Sequence, residues 1–178
     1  MDNNDNRIGK IFQTEEEIKS KVQELGEQIT KDYAGKSPLL VGVLKGAFIF
    51  MADLIRQIDL DCDVDFMAVS SYGAATQSSG VVRILKDLDV DLTDRDVIIV
   101  EDIIDSGLTL SYLRKNLMAR KPASLEVCAM FVKEGLQKTQ DKVKYEGFYI
   151  PPDFVIGYGL DAAEKLRGLP YLAEYLKD

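Results

Sequence analysis

Hydrophobic and polar positions along the chain fall into blocks, and the blocks predict strands and helices in turn. Thr14-Glu15-Glu16-Glu17 is a capping-box pattern that opens a helix running to about Tyr33. Pro38-Leu39-Leu40-Val41-Gly42-Val43-Leu44 is a short apolar run, as in a strand covered on both faces. Lys45-Gly46 breaks that run, and Ala47 to Ile58 reads as a helix with apolar residues on most faces. After an acidic turn over 59–63, Val64 to Ser70 reads as a second strand. Residues 71–80 form a polar loop of small residues, and Val81 to Leu85 returns as an antiparallel strand. Asp96 to Val100 is the clearest buried parallel strand; it ends at Glu101-Asp102 and leads through residues 103–107 into a helix from Leu108 to about Arg120. Pro122 stops that helix, and strands follow over Ser124–Val132 and Phe154–Tyr158. Strands alternating with helices predict an α/β fold, with a mainly parallel sheet flanked by helices. Without an internal repeat or a linker, residues 1–178 read as a single domain.

Composition narrows the chemistry. With 178 residues, 46% apolar and 29% charged, the chain has a globular make-up. It contains no histidine, which excludes Ser-His-Asp and Cys-His nucleophilic catalysis, zinc–histidine sites and imidazole acid/base work. Proton transfer near neutral pH then falls to Asp, Glu, Lys, Tyr or Cys. The formal net charge of -8 opposes a nucleic-acid surface, and any metal is expected to be a hard ion held by carboxylate oxygens. Cys62 and Cys128 show no CxxC spacing and read as small buried hydrophobes of a reducing compartment. The first residues carry no basic-then-apolar leader. The most apolar stretch, 38–52, is interrupted by Lys45 and is shorter than the ~20 residues a membrane span needs. A cytoplasmic protein with no membrane and no nucleic-acid partner is expected.

Two motif-like stretches are set aside. Gly35-Lys36-Ser37 resembles the end of a P-loop, but position 30, where that loop needs glycine, is Thr30, and a helix rather than a strand precedes it. Gly157-x-Gly159-x-x-Ala162 mimics a dinucleotide fingerprint, yet only 16 residues follow it. That is too few for a ~30-residue βαβ unit.

The window Val97 to Thr109, VIIVEDIIDSGLT, carries the specific signal. A strand delivers the adjacent carboxylates Glu101 and Asp102 to the carboxyl edge of the sheet, where open α/β folds bind ligands. Asp105-Ser106-Gly107-Leu108-Thr109 then sits at the mouth of a helix, where backbone N–H groups and the helix dipole favour phosphate. Carboxylates this close to a phosphate seat make electrostatic sense if they face a ribose diol and a divalent cation. The ligand read from this window is a phosphorylated sugar.

This window resembles the phosphoribosyl-pyrophosphate motif of type I phosphoribosyltransferases, two acids followed by Asp-Ser/Thr-Gly-x-Thr. From about Ile11 to Leu172 the chain resembles the 6-oxopurine branch, the hypoxanthine (hypoxanthine-guanine) phosphoribosyltransferases. The resemblance implies a core over about 36–145, a small hood from about 1–35 and 146–178, and a mobile lid over about 70–81 that opens with Ser71 and Tyr72. It implies Mg2+-dependent purine salvage: reversible transfer of the 5-phosphoribosyl group from phosphoribosyl pyrophosphate to N9 of hypoxanthine or guanine, giving IMP or GMP and pyrophosphate.

Residue by residue, the resemblance gives Glu101 and Asp102 to the ribose hydroxyls and magnesium, and Asp105 to a proton exchanged with purine N7. Ser106, Gly107, Leu108 and Thr109 become the 5′-phosphate cradle. Lys45 and Gly46 become a pyrophosphate loop, often built with a non-proline cis peptide, and Arg167 a further pyrophosphate contact. Lys133 donates to the purine 6-oxo group, Phe154 stacks on the base, and the Val155 backbone reads the purine edge. Asp161, on the purine side, is a ligand of a second magnesium. A homodimer or homotetramer is the oligomer implied.

Ala162, Tyr149 and the uncharged Leu108 depart from the family pattern, which bears on purine preference and local packing rather than on the reaction. The rival readings are a xanthine- or pyrimidine-directed transferase and a nucleotide-sensing regulator on the same fold. Lys133 and Phe154 speak against a pyrimidine, and the net charge of -8 against an RNA-binding regulator. Residues 1–10 are expected to be a loose end without a role.

Overall fold

The apolar runs line up side by side. The computed structural model describes residues 5–71, 82–139 and 141–177. Its main sheet has six strands in the order β4 (Val82–Lys86), β3 (Asp63–Ser71), β2 (Leu39–Leu44), β5 (Asp96–Ile104), β6 (Ser124–Lys133) and β7 (Tyr145–Ile150). All of these neighbours pair in parallel except β3 and β4, which form the expected antiparallel return.

The central strands are apolar on both sides because helices cover both faces. On one face lie α1 (Glu15–Asp32) and α2 (Phe48–Ile55). There Val22, Leu25 and Ile29 of α1 and Phe50 and Leu54 of α2 share a core with Leu40, Ile98, Cys128 and Met130 of the sheet. On the other face α3 (Leu108–Met118) buries Leu110, Leu113 and Leu117 against Val41, Val97, Ile99 and Val127. The capping box at the start of α1 forms in both directions: the Glu17 N–H donates to Thr14 Oγ1 at 3.3 Å, and the Thr14 N–H donates to Glu17 Oε2 at 2.7 Å.

A second, three-stranded antiparallel sheet has the order β1 (Ile8–Gln13), β9 (Leu172–Tyr175), β8 (Val155–Ile156). It draws on both ends of the chain, whereas α1 and β7 pack with the main layer.

Several boundaries differ from the sequence expectation. Residues 8–10 are not loose, because β9 gives them a partner. The strand expected over 154–158 is only β8, since Gly157 (φ 97°) and Tyr158 (φ 46°) turn the chain out of extended geometry. Strand β5 does not stop at Val100; β6 extends its ladder to Ile104, which pairs with Val132. Helix α2 ends at Ile55 and α3 at Met118, each shorter than expected. Ser70 and Ser71, where the expected lid begins, close β3, and the remainder of that lid, residues 72–81 with Tyr72 and Val81, lies outside the described residues. Among the described residues no helix is long and apolar enough to cross a membrane.

Candidate active site

The functional side chains gather at the carboxyl edge of the main sheet. Since β6 carries the hydrogen-bond ladder past Glu101, which pairs with Ala129, the acid pair stands on a regular strand rather than a loop. An open cavity of about 530 Å³ is lined by Lys45, Gly46, Asp102, Asp161, Glu164 and Arg167, with Glu101 at its floor. Glu101 also borders a smaller cavity of about 130 Å³ formed by Asp105, Ser106, Gly107 and Thr109.

The acid pair is electrostatically uncomfortable. Burial pushes Glu101 well above the usual carboxylate range, and the neighbouring Asp102 charge adds to the shift. Asp102 is likewise raised by burial, with the Asp161 charge adding, while a hydrogen bond from the Ile103 N–H (2.8 Å) and the charge of Arg167 pull it back. Buried carboxylates without an adjacent cation favour the protonated form, and a bound cation would reverse that preference. Thiolate chemistry has no such foothold, because burial pushes the thiols of both Cys62 and Cys128 up.

The phosphate loop follows directly. Gly107 adopts φ 78° as the residue before α3, and it provides no side chain to cap the helix. Of the first-turn amides, the Leu108 N–H meets Ser106 Oγ at a long 3.5 Å, and a helix mouth of this kind suits an anionic ligand. A Cβ at position 107 would lie 2.6 Å from Thr139 Oγ1, and the Lys138 N–H donates to the Ser106 carbonyl at 2.8 Å. The segment after β6 thus braces the loop from outside. Lys133 at the end of β6 is buried and places Nζ 3.1 Å from Asp105 Oδ2, and the Gln137 side-chain amide donates to the Lys133 carbonyl. Gln137 to Thr139 escaped the sequence reading, where their nearness to Lys133 was the only signal.

The loop after β2 is packed just as closely. The cis peptide is Leu44–Lys45, one bond before Lys45-Gly46. A Cβ on Gly46 would collide with the Asp102 carboxylate, and one on Gly159 (φ 99°) would collide with the Gly46 carbonyl. The glycines set aside as a false dinucleotide fingerprint therefore have a use: Gly159 lets the 157–169 hairpin approach the loop after β2, and Gly157 lets the chain approach the Tyr171 carbonyl. That hairpin is held by the Tyr158 N–H to the Leu169 carbonyl (2.8 Å) and the Gly159 N–H to the Arg167 carbonyl (3.0 Å).

Across the hairpin, Arg167 Nη2 lies 2.8 Å from Asp161 Oδ1 and 3.1 Å from Glu164 Oε2, while Nη1 donates to the Gly159 carbonyl at 2.8 Å. Lys45 Nζ lies 3.1 Å from both oxygens of Glu164. Asp161 Oδ2 accepts the Glu164 N–H at 2.7 Å. Among the described residues no group of three or more Cys, Asp or Glu side chains is disposed to hold a metal. No shared site is expected, since the resemblance gives Glu101 and Asp102 to one magnesium and Asp161 to a second, and both Asp161 oxygens are engaged on the hairpin here. Glu101 and Asp102 still fit a hard cation, since magnesium is commonly bound by one or two carboxylates plus substrate phosphates.

Val155 opens β8 of the small sheet and Phe154 directly precedes it, its carbonyl accepting the Tyr175 N–H at 2.8 Å. Phe154 is 50% exposed, with its ring 5.5 Å from that of Tyr175 and Lys177 Nζ 5.8 Å above it. Val155 is buried opposite Glu174. Ser71 is the last residue of β3, and Leu108 the first of α3.

Residues 10–163 match the phosphoribosyl transferase domain family. The chain belongs to this family. It is 52% identical over 165 residues to the hypoxanthine-guanine phosphoribosyltransferase of Bacillus subtilis (strain 168), covering 93% of this chain and 92% of that protein. It is also 52% identical over 171 residues to the enzyme of the same name from Mycobacterium tuberculosis (strain H37Rv), covering 93% and 85%. Among solved structures, a hypoxanthine phosphoribosyltransferase from Staphylococcus aureus superposes with a TM-score of 0.93 at 43% identity, covering 98% of this chain and 97% of that one. The type I phosphoribosyltransferase fold expected from the acid-pair motif is the one this family member adopts.

Proposed function

We infer that the chain is a purine-salvage enzyme that transfers the 5-phosphoribosyl group from phosphoribosyl pyrophosphate to N9 of hypoxanthine or guanine. The observation that carries this reading is the Lys133–Asp105 pair, 3.1 Å apart, with Asp105 bordering the same small cavity as Glu101, Ser106, Gly107 and Thr109. The helix-mouth loop suits a 5′-phosphate, the acid pair a ribose, and the Lys133–Asp105 pair a 6-oxopurine.

As the C1′–N9 bond forms, the C1′–O bond to pyrophosphate breaks with inversion, and Asp105 exchanges the N7 proton. Such assistance is typically worth ~10²–10⁴ in rate. Lys133 donates to the 6-oxo group and rejects adenine, whose amino group cannot accept that hydrogen bond. Phe154 offers a face to the base, and the Val155 backbone offers its edge. Lys45, Gly46 and Arg167 bind the pyrophosphate, while Glu101 and Asp102 orient the ribose hydroxyls. Glu101 and Asp102 would hold magnesium together with substrate oxygens, and Asp161 is assigned to a second ion on the hairpin. Bound magnesium supplies neutralisation of the leaving pyrophosphate.

The same reading carries a lid opened by Ser71-Tyr72, a single catalytic domain, a cytoplasmic setting and a homodimer or homotetramer. Both cysteines are free, Cys128 buried and Cys62, against the sequence expectation, only half-buried, which suits a reducing setting.

Product formation with hypoxanthine, guanine, xanthine, adenine and uracil, with and without magnesium, tests the assignment. Turnover is expected on hypoxanthine or guanine only and only with the metal. Asp105→Asn is expected to lose ~10²–10⁴ in turnover while still binding phosphoribosyl pyrophosphate. Turnover on no base, or an undiminished Asp105→Asn, would contradict it.

A further inference from the structure

Glu164 has no part in the transfer as described, yet it occupies both cations assigned to pyrophosphate. Its two carboxylate oxygens each lie 3.1 Å from Lys45 Nζ, and Oε2 is also 3.1 Å from Arg167 Nη2. Lys45 stands on the loop after β2 and Arg167 on the hairpin, so one carboxylate bridges the two walls of the cavity. The Lys45 and Arg167 cations hold the Glu164 carboxyl below its ordinary range, which keeps it an anion at neutral pH.

The backbone that presents it is unusual. Ala163, Glu164 and Leu166 all take left-handed conformations, with φ of 49°, 63° and 69°. L-residues with side chains seldom adopt that region, and such outliers gather at functional sites where surrounding contacts enforce them. Here the enforcing contacts are the Glu164 N–H to Asp161 Oδ2 and the Ala162–Lys165 bridge.

We propose that Glu164 is an internal surrogate for pyrophosphate, neutralising Lys45 and Arg167 when their seat is free and releasing them when the substrate's pyrophosphate arrives. The proposal rests on the assignment of Lys45 and Arg167 to pyrophosphate made above. Two features suit an exchangeable placeholder. The Lys45 and Glu164 side chains are 68% and 65% exposed, so their pairing is screened by water and weak enough for a polyanion to replace. Arg167 is only 19% exposed and keeps Asp161 and the Gly159 carbonyl as partners, so it stays aimed when Glu164 leaves. The consequence is kinetic as well as thermodynamic. Glu164 competes with incoming pyrophosphate and re-pairs the cations as the product departs, which weakens binding and speeds release.

Calorimetric titration of magnesium pyrophosphate into the wild-type chain and Glu164→Gln tests this, with the Michaelis constant for pyrophosphate measured in the reverse reaction. With the internal competitor neutralised, pyrophosphate is expected to bind about 3- to 10-fold tighter, as the loss of two screened pairs implies. The reverse-direction constant should fall by a similar factor. IMP binding, which does not use these cations, should be unchanged. If Glu164 only braces the hairpin, the substitution loosens the site and pyrophosphate binds equally well or more weakly, which overturns the proposal. Glu164→Asp, which keeps the charge on a shorter arm, is expected to lie between the two. The unfolding midpoint of each variant, expected to stay near wild type, separates weak binding from misfolding. Wild-type turnover with unaltered pyrophosphate affinity in Glu164→Gln contradicts this inference alone. A wild-type chain that turns over no 6-oxopurine contradicts the proposed function beneath it.

Discussion

Glu101 and Asp102 on β5 and Asp161 and Glu164 on the hairpin line the same cavity, yet their electrostatic states are opposite. The strand pair is buried, has no ion-pair partner among the described residues and is pushed toward the neutral form. The hairpin pair is matched to Arg167 and Lys45, and Glu164 is held firmly ionised. On the proposed reading, the strand wall would take a cation, while Lys45 and Arg167 beside the hairpin acids would take an anion. A magnesium pyrophosphate would satisfy both walls at once. The difference also shows where stability is given up: burying two like charges without a partner destabilises the empty fold, whereas the exposed hairpin pairs contribute little either way.

The comparison breaks most severely if the two walls are pushed apart. Gly159→Ala places a Cβ against the Gly46 carbonyl at φ 99°, and it is expected to destabilise the chain by about 2–4 kcal/mol in denaturant unfolding. Transferase activity should fall with it. A neutral outcome would mean that the hairpin does not bear on the loop after β2.

Removing charge from the strand wall should act in the other direction. Asp102→Asn keeps the acceptor for the Ile103 N–H but ends the repulsion with Glu101. The empty protein is expected to gain about 1–3 kcal/mol at pH 8, several degrees in unfolding midpoint, while turnover collapses. A smaller effect belongs to the hairpin wall. Lys45→Met should move the midpoint by less than about 2 °C, because its partner pair is exposed, and yet weaken pyrophosphate binding.

Much of the strand wall was legible in the sequence. An apolar run ending in Glu101-Asp102, then Asp105-Ser106-Gly107-Leu108-Thr109 before a helical pattern, encodes its own geometry, because strand, turn and helix are consecutive. The same locality made α1 readable from its capping box. The hairpin wall was only partly legible. Asp161 and Arg167 came from resemblance, but Glu164 sits 119 residues from Lys45, and no local spacing announces their pairing. Gly159 was seen and assigned to no purpose, since its reason is a carbonyl on a distant loop. Strands β1 and β9 were missed for a related cause: each exists because the other end of the chain supplies its partner. The extension of β5 to Ile104 depends likewise on the length of β6.

On the proposed function, the buried acid pair is a cation seat that destabilises the empty protein. The most direct test is the unfolding free energy of wild type and Asp102→Asn from pH 4 to 8, with and without magnesium pyrophosphate. A carboxyl whose folded pKa is raised binds its proton more tightly in the native state. Its stabilisation is therefore complete below the ordinary carboxylate pKa of ~4 and is lost as pH rises through the raised value. The paired acids, such as Glu164, Asp32 and Asp96, are lowered, so their contribution fades as pH falls below about 5, but it does so in both proteins and cancels in the comparison. Wild type is predicted to lose stability relative to Asp102→Asn as pH rises from 4 toward neutrality, and to regain it when magnesium pyrophosphate is added. Parallel profiles for the two proteins, with no differential rescue by magnesium pyrophosphate, would contradict the claim.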